Sequence, residues 1–267
     1  MKPKAGAVYS YRCRASWSAV RRVSGVFTAP VVDAGLTAPL PWLVTGYVSG
    51  LSLAQAVDKY GALPVDSVLA LAAGLAEGLS AVHAAGVVHR DLKPSNVLLA
   101  ADGPRVIDFG ISRAVDATQL TQTGAVIGSP AFMSPEQVEG VAAEPASDVF
   151  SLGAVLAFAA TGEGPFGHGA PQALMYRVVH GTPRLDRLPG PVRPLVERCL
   201  ARDPGQRPTA AQFLAELTAA HPSTSTRDGT TGRRPASVSS TTSPSSCGSS
   251  KMTATAPISR SSSRTTE

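Results

Sequence analysis

The longest amphipathic pattern in the chain is "LPVDSVLALAAGLAEGLSAVHAAG", residues 63–86. Val68, Leu71, Leu75, Leu79 and Val82 recur at helical steps, which predicts a helix with one apolar face. Pro64 suits its first turn and Gly86 its end. Upstream, "TAPVVDA" (28–34) and "PWLVTGYV" (41–48) predict short strands. Two more, "VLL" (97–99) and "RVI" (105–107), are joined by a turn containing Asp102-Gly103 and predict a hairpin. From residue 148 onward the pattern is mainly helical. The longest apolar run, "VFSLGAVLAFAA" (149–160), is too short to span a bilayer and predicts a buried core helix.

The two ends differ from this middle. Residues 1–20 show no periodicity and stay unassigned, either disordered or read out of frame. Residues 222–267 hold 24 Ser or Thr in 46 positions and few large apolar groups. Such a tail buries too little to offset its ordering entropy and is expected to be disordered. The formal charge of +5 also sits at the ends. Residues 26–221 carry twelve bases against seventeen acids, net −5, so the folded part is not expected to read nucleic acid. Cys13, Cys199 and Cys247 have neither zinc-ligand nor redox spacing. With no apolar leader or membrane span in the pattern, a reducing, cytoplasmic setting is expected.

The hairpin brings chemistry together. Asn96 precedes its first strand and Asp108 follows its second, so an antiparallel pairing sets one amide oxygen near one carboxylate. That pair suits Mg²⁺ held mainly by oxygen and phosphate. Asp91 and Lys93 lie on the loop just before. One can orient a hydroxyl nucleophile and the other can stabilise a transferred phosphoryl group.

"HRDLKPSN" (89–96) and "DFG" (108–110) resemble the protein-kinase catalytic loop and metal-binding motif. "GSPAFMSPEQ" (128–137), "SDVFSLGAVL" (147–156) and "RDPGQRP" (202–208) resemble the end of the activation segment, the helix anchoring the large lobe and that lobe's closing region. The whole is similar to bacterial, eukaryotic-like serine/threonine protein kinases. The resemblance implies an α+β kinase-like fold. Residues 21–48 would form a remnant of the small lobe's sheet plus the hinge, and 49–221 the mainly helical C-terminal lobe. It implies ATP, Mg²⁺ and protein substrates. Asp91 would be the catalytic carboxylate. Lys93 would contact the γ-phosphate, and Asn96 and Asp108 would hold the metal. Leu98 would floor the adenine site, Tyr47 and Val48 would offer hinge backbone groups, and Thr45 would sit behind them. Ser129 would bond the catalytic carboxylate. Glu136 and Arg207 would form a buried ion pair, and Asp148 would brace the catalytic loop. Arg90 would face the activation segment, where phosphate on Thr121 or Thr123 would order it.

The small lobe's own motifs are not found before His89: no G-x-G-x-x-G, no strand lysine, and "RASWSAV" (14–20) where a helix glutamate is expected. Three readings follow. The chain is a fragment with its ends out of frame, or a non-catalytic binding module, or Lys2, Lys4 or Arg21 replaces the lysine. The literal "GEGPFG" (162–167) follows a helix rather than a strand, so it is not expected to cradle phosphate or to open a dinucleotide fold. His83, His168 and His180 lack metal spacing and are expected to be surface or packing residues, and His89 structural.

Overall fold

A three-stranded antiparallel sheet comes first: β1 (Val8–Ser10), β2 (Val31–Gly35) and β3 (Trp42–Thr45), in the order β1-β3-β2. The structure is a computed structural model, and the residues it describes are 8–10, 27–29, 31–35, 42–108 and 130–220. β2 carries a register shift between Val31 and Asp33 where it pairs with β3. Residues 8–10, for which the hydrophobic pattern predicts no element, pair Val8 with Val44 and Ser10 with Trp42. A strand this short needs only backbone pairing, which leaves no periodicity to read. The chain divides into two units, Met1–Ser223 and Thr224–Glu267, and the second lies outside the described residues.

A second antiparallel sheet holds β4 (Leu51–Ser52), β5 (Val97–Ala100) and β6 (Gly103–Val106) in that order. Ala100 pairs with Gly103, so the turn falls on Ala101-Asp102, one residue earlier than the sequence predicts. Gly103 makes this possible. Its φ is +127°, and a Cβ there would lie 3.0 Å from the Phe27 ring. Phe27 also fills notches on the following helix, where Cβ atoms on Gly74 and Gly78 would meet it at 3.2 and 3.3 Å. The segment around Phe27 is stitched to β6 by Val106 N–H donating to Phe27 O (2.9 Å) and Ala29 N–H to Val106 O (3.1 Å).

Two helices lie between β4 and β5 in sequence. α1 (Leu53–Tyr60) opens with a reciprocal capping box between Ser52 and Gln55. α2 (Val65–Ala84) starts one residue after Pro64. Val68, Leu71, Leu75, Leu79 and Val82 are all buried on it, each contributing roughly 1.5–3 kcal/mol. By length and composition α2 is apolar enough to cross a membrane, although Asp66 and Glu77 keep it from being an unbroken apolar run. Its buried face packs in the core, against later helices of the same lobe.

Beyond the hairpin come α3 (Pro135–Val138), α4 (Pro145–Thr161), α5 (Pro171–His180), α6 (Arg193–Cys199) and α7 (Ala210–Ala220). α4 is buried on nearly every face and is the axis of the lobe, with α2 and α6 packed on it. It ends at Gly162, whose φ of +80° closes it in the left-handed region. α6 approaches so closely that a Cβ on Gly153 would sit 2.6 Å from Cys199 Cβ. Cys199 is free and fully buried, and burial pushes its thiol up to about 12.

Candidate active site

The loop from Val87 to Asn96 joins α2 to β5, and α4 holds it from below. Asp148, in the first turn of α4 and 1% exposed, accepts from His89 N–H through Oδ2 and from Arg90 N–H through Oδ1, both at 2.8 Å. Its Oδ2 also lies 2.7 Å from His83 Nε2, at the last turn of α2. A buried carboxylate with three partners is tolerated where one with none would be costly. Arg90 has φ +66°, a sparsely populated state for a side-chain-bearing residue. The Asp148 bond and Gln137 Nε2 donating to Arg90 O (2.9 Å) hold it there from two sides.

His89 is fully buried, and burial lowers its pKa although Asp148 pulls it upward. Its Nδ1 accepts from Asp91 N–H at 3.2 Å, so Nε2 carries the proton it donates to Ile107 O at 3.1 Å. The neutral ring therefore ties the loop to the end of β6 and has no site left to act as a base.

Asp91, Lys93 and Asn96 converge at the loop's end. Lys93 Nζ lies 2.7 Å from Asp91 Oδ2. Asn96 Nδ2 donates to Asp91 O at 2.9 Å and to Asp91 Oδ2 at 3.2 Å. With its NH₂ turned to Asp91, Asn96 presents Oδ1 on the other side, where Ser95 Oγ gives it only a long 3.5 Å contact. Ile107 N–H donates to Asn96 O at 3.0 Å, so Asp108 follows one residue beyond a paired neighbour of Asn96. Asp108 has φ +55° and is half-buried. Burial raises its pKa, with Asp91 adding to the rise and His89 and Lys93 opposing it. Asn96 as a whole is only 5% exposed. An amide oxygen without a short protein donor and a half-buried carboxylate on neighbouring strand ends are a donor pair of the kind that suits Mg²⁺, the rest of its shell coming from phosphate and water.

Other candidates fall around this centre. Thr45 ends β3 opposite Val31, Tyr47 is exposed, and Val48 is half-buried. Leu98 lies on β5 opposite Ser52 and Arg105. Arg90, Asp91, Lys93, Phe132, Met133 and Gln137 border a cavity of about 10 Å³ beside the loop. Thr121, Thr123 and Ser129 lie outside the described residues. Glu136 and Arg207 meet in a bidentate pair at 2.7 and 3.0 Å, with Ser147 Oγ donating to Glu136 at 2.6 Å.

Three residues act here without a signal in the sequence reading. His83 is neither a surface nor a simple packing residue, because its ring bonds the carboxylate that holds the loop. Its position six residues before His89, on the last helical turn, is the one pattern that could have marked it. Gln137 and Ser147 carry only the capping patterns S-P-E-Q and E-P-A-S, which say nothing of their distant partners.

The chain belongs to the protein kinase family, whose protein kinase domain matches residues 31–217. Within it the similar proteins are bacterial serine/threonine kinases of the eukaryotic-like kind. It is 52% identical over 213 residues to the probable serine/threonine-protein kinase PkwA of Thermomonospora curvata, covering 80% of this chain and 29% of that protein. It is 51% identical over 201 residues to the serine/threonine-protein kinase AfsK of Streptomyces coelicolor, covering 74% of this chain and 25% of that one. The chain thus spans less than a third of the length of these curated relatives. The Rad53 kinase domain, solved with SCD2 and AMPPNP, superposes with a TM-score of 0.62 over 78% of this chain and 79% of that one. At 21% identity that likeness speaks for the fold.

Proposed function

We propose that this chain transfers the γ-phosphoryl group of ATP to serine or threonine hydroxyls of protein substrates. The observation that carries the reading is the Asp91 carboxylate, bonded by Lys93 and Asn96 on a loop that Asp148 holds. Asp91 would accept the hydrogen bond of the incoming hydroxyl and aim its oxygen at the γ-phosphorus. Lys93 would turn toward the transferred group and offset its charge while the bond to the departing ADP breaks. Asn96 Oδ1 and Asp108 would hold Mg²⁺, which when bound supplies positive charge to the phosphate oxygens. Thr45, Tyr47, Val48 and Leu98 would line the adenine side. Thr121, Thr123 and Ser129 would belong to the activation segment facing Arg90. A reducing, cytoplasmic setting suits the free, buried Cys199.

Radiolabelled transfer from ATP with Mg²⁺ to a protein acceptor tests this. Asp91→Asn should lower the rate by roughly 10²–10⁴-fold and leave the melting temperature near that of the parent. Transfer that survives Asp91→Asn would sink the assignment.

A second reading, a binding module without transfer, rests on the sequence before His89, which offers no glycine-rich flap or strand lysine of the expected kind. It predicts no Asp91-dependent transfer, whereas the first predicts such transfer together with stabilisation by ATP and Mg²⁺.

A further inference from the structure

Downstream of α4, the loop Gly162–Gly169 contains the glycine motif, which follows a helix rather than a strand. At its end two arginines converge. A Cβ built on Gly167 would lie 3.2 Å from Nη1 of Arg177 and 3.2 Å from Nη1 of Arg184, so the two guanidinium tips are at most twice that distance apart. A Cβ on Gly169 would lie 3.1 Å from Arg177 Nη2. Neither arginine forms an ion pair among the described residues. Arg177 instead donates to two backbone carbonyls, from Nη2 to His168 O (2.6 Å) and from Nε to Ala173 O (3.2 Å), which fixes the direction of its fork. Arg184 is exposed and its backbone N–H donates to Pro165 O at 2.8 Å. Two like charges held side by side, without an acid between them, favour a shared dianion that takes a bond from each fork.

The neighbours of these residues argue for more than a free ion. Phe166, Val178 and Pro183, each adjacent in sequence to Gly167, Arg177 or Arg184, line a cavity of about 200 Å³ with Leu200. Arg202, donating to Gly181 O at 3.0 Å, stands on the same cavity as a third cation. The loop also reaches the catalytic side, because a Cβ on Gly164 would contact Ala131, next to the Phe132 and Met133 that border the cavity at Asp91.

The geometry points to a phosphate-monoester site at Gly167, Arg177 and Arg184 that takes a phosphoserine or phosphothreonine of a protein, with an apolar neighbour of that residue in the adjoining cavity. The substrate class is then a protein already phosphorylated near the segment presented to Asp91. Choosing a protein-borne phosphate rests on the phosphotransfer reading, whereas the anion site does not.

The test is fluorescence anisotropy without nucleotide, on the full chain. The probe is a labelled short peptide with one phosphoserine flanked by leucines, run beside its unphosphorylated twin and against inorganic phosphate as competitor. The phosphopeptide should bind in a salt-sensitive way and the twin should not. Arg184→Gln, at an exposed position, should weaken binding about tenfold or more, with Arg177→Gln as the second variant. Equal binding of the twin, or an Arg184→Gln chain that binds as tightly as the parent, overturns the site. Inorganic phosphate competing as well as the phosphopeptide reduces it to an adventitious ion only and overturns the protein ligand. Because no nucleotide is present, a chain that fails to transfer phosphate defeats the preceding section and leaves this result readable.

Discussion

Two carboxylate–cation pairs in this lobe share a closest distance of 2.7 Å and differ in everything around it. At Glu136–Arg207 all five guanidinium donors are used: two on Glu136, and one each on Ala201 O, Ala146 O and Arg202 O. The Arg207 guanidinium also lies over the Phe150 ring, 5.0 Å from its centroid. At Asp91–Lys93 the ammonium makes one described bond and has two more protons to give, and both side chains are 22% exposed. A pair whose donors are all spent can only hold structure. A pair with donors in reserve, beside an amide and a second carboxylate, can exchange partners when a substrate arrives. Distance alone does not tell a structural pin from a working site, and the count of unused donors does.

The largest expected effect breaks the pin. Arg207→Ala strands Glu136 in a site built for a cation and should cost about 3–5 kcal/mol, read by urea unfolding. A loss below 1 kcal/mol would show that the pair is not the pin described here. The same pair has a pH signature. Burial pushes the Glu136 carboxyl up, but the hydrogen bonds from Arg207 and Ser147 outweigh it and hold it down to about 2. A depressed carboxylate stabilises the fold at pH values above its unfolded range. That contribution, on the order of 3 kcal/mol, is lost as pH falls from there through about 2, and Glu136→Gln should flatten this part of the acid-unfolding curve.

Asp148→Ala should come next. It leaves the N–H groups of His89 and Arg90 without their acceptor, at roughly 1–3 kcal/mol for each that water does not reach. It should also remove phosphotransfer, since the strained Arg90 backbone then loses the Asp148 bond that helps hold it. Unfolding and transfer measured together test it, and full activity would show that the loop keeps its shape unaided. Gly153→Ala should cost about 1–3 kcal/mol by forcing α4 and α6 apart at Cys199. A neutral result in thermal unfolding would mean that the helices give way there.

The smallest effect on stability, with the sharpest effect on function, belongs to Asp108→Asn. A carboxylate whose folded pKa is raised by burial weakens the fold when ionised, and stability rises as pH falls through that pKa. The amide should therefore leave the melting temperature equal or higher in the absence of ligand, while abolishing the shift produced by Mg²⁺ with ATP. In the parent, that shift should fade with acidification at a higher pH than an ordinary aspartate would give.

The loop before β5 was legible because its residues are close in sequence: Asp91, Lys93 and Asn96 lie within six positions, and Asp108 lies across a single hairpin. The α2 face was legible for the same local reason, five apolar residues at helical steps. By contrast, β1 is a three-residue strand with no pattern of its own, and the Ala101-Asp102 turn is set by the Phe27 ring packed against Gly103. The role of His83 depends on Asp148, 65 positions away. The paired arginines at Gly167 belong to separate segments that share no motif.

The sequence by itself therefore determined the main helices, the hairpin strands, the family and the residue types of the loop before β5, because helix period, strand alternation and loop chemistry are local properties. Only the tertiary structure decided which carboxylates are spent on holding the fold and which remain available. That division depends on how many donors reach each oxygen and how much water is excluded, and both are set by segments that meet only when the chain is folded.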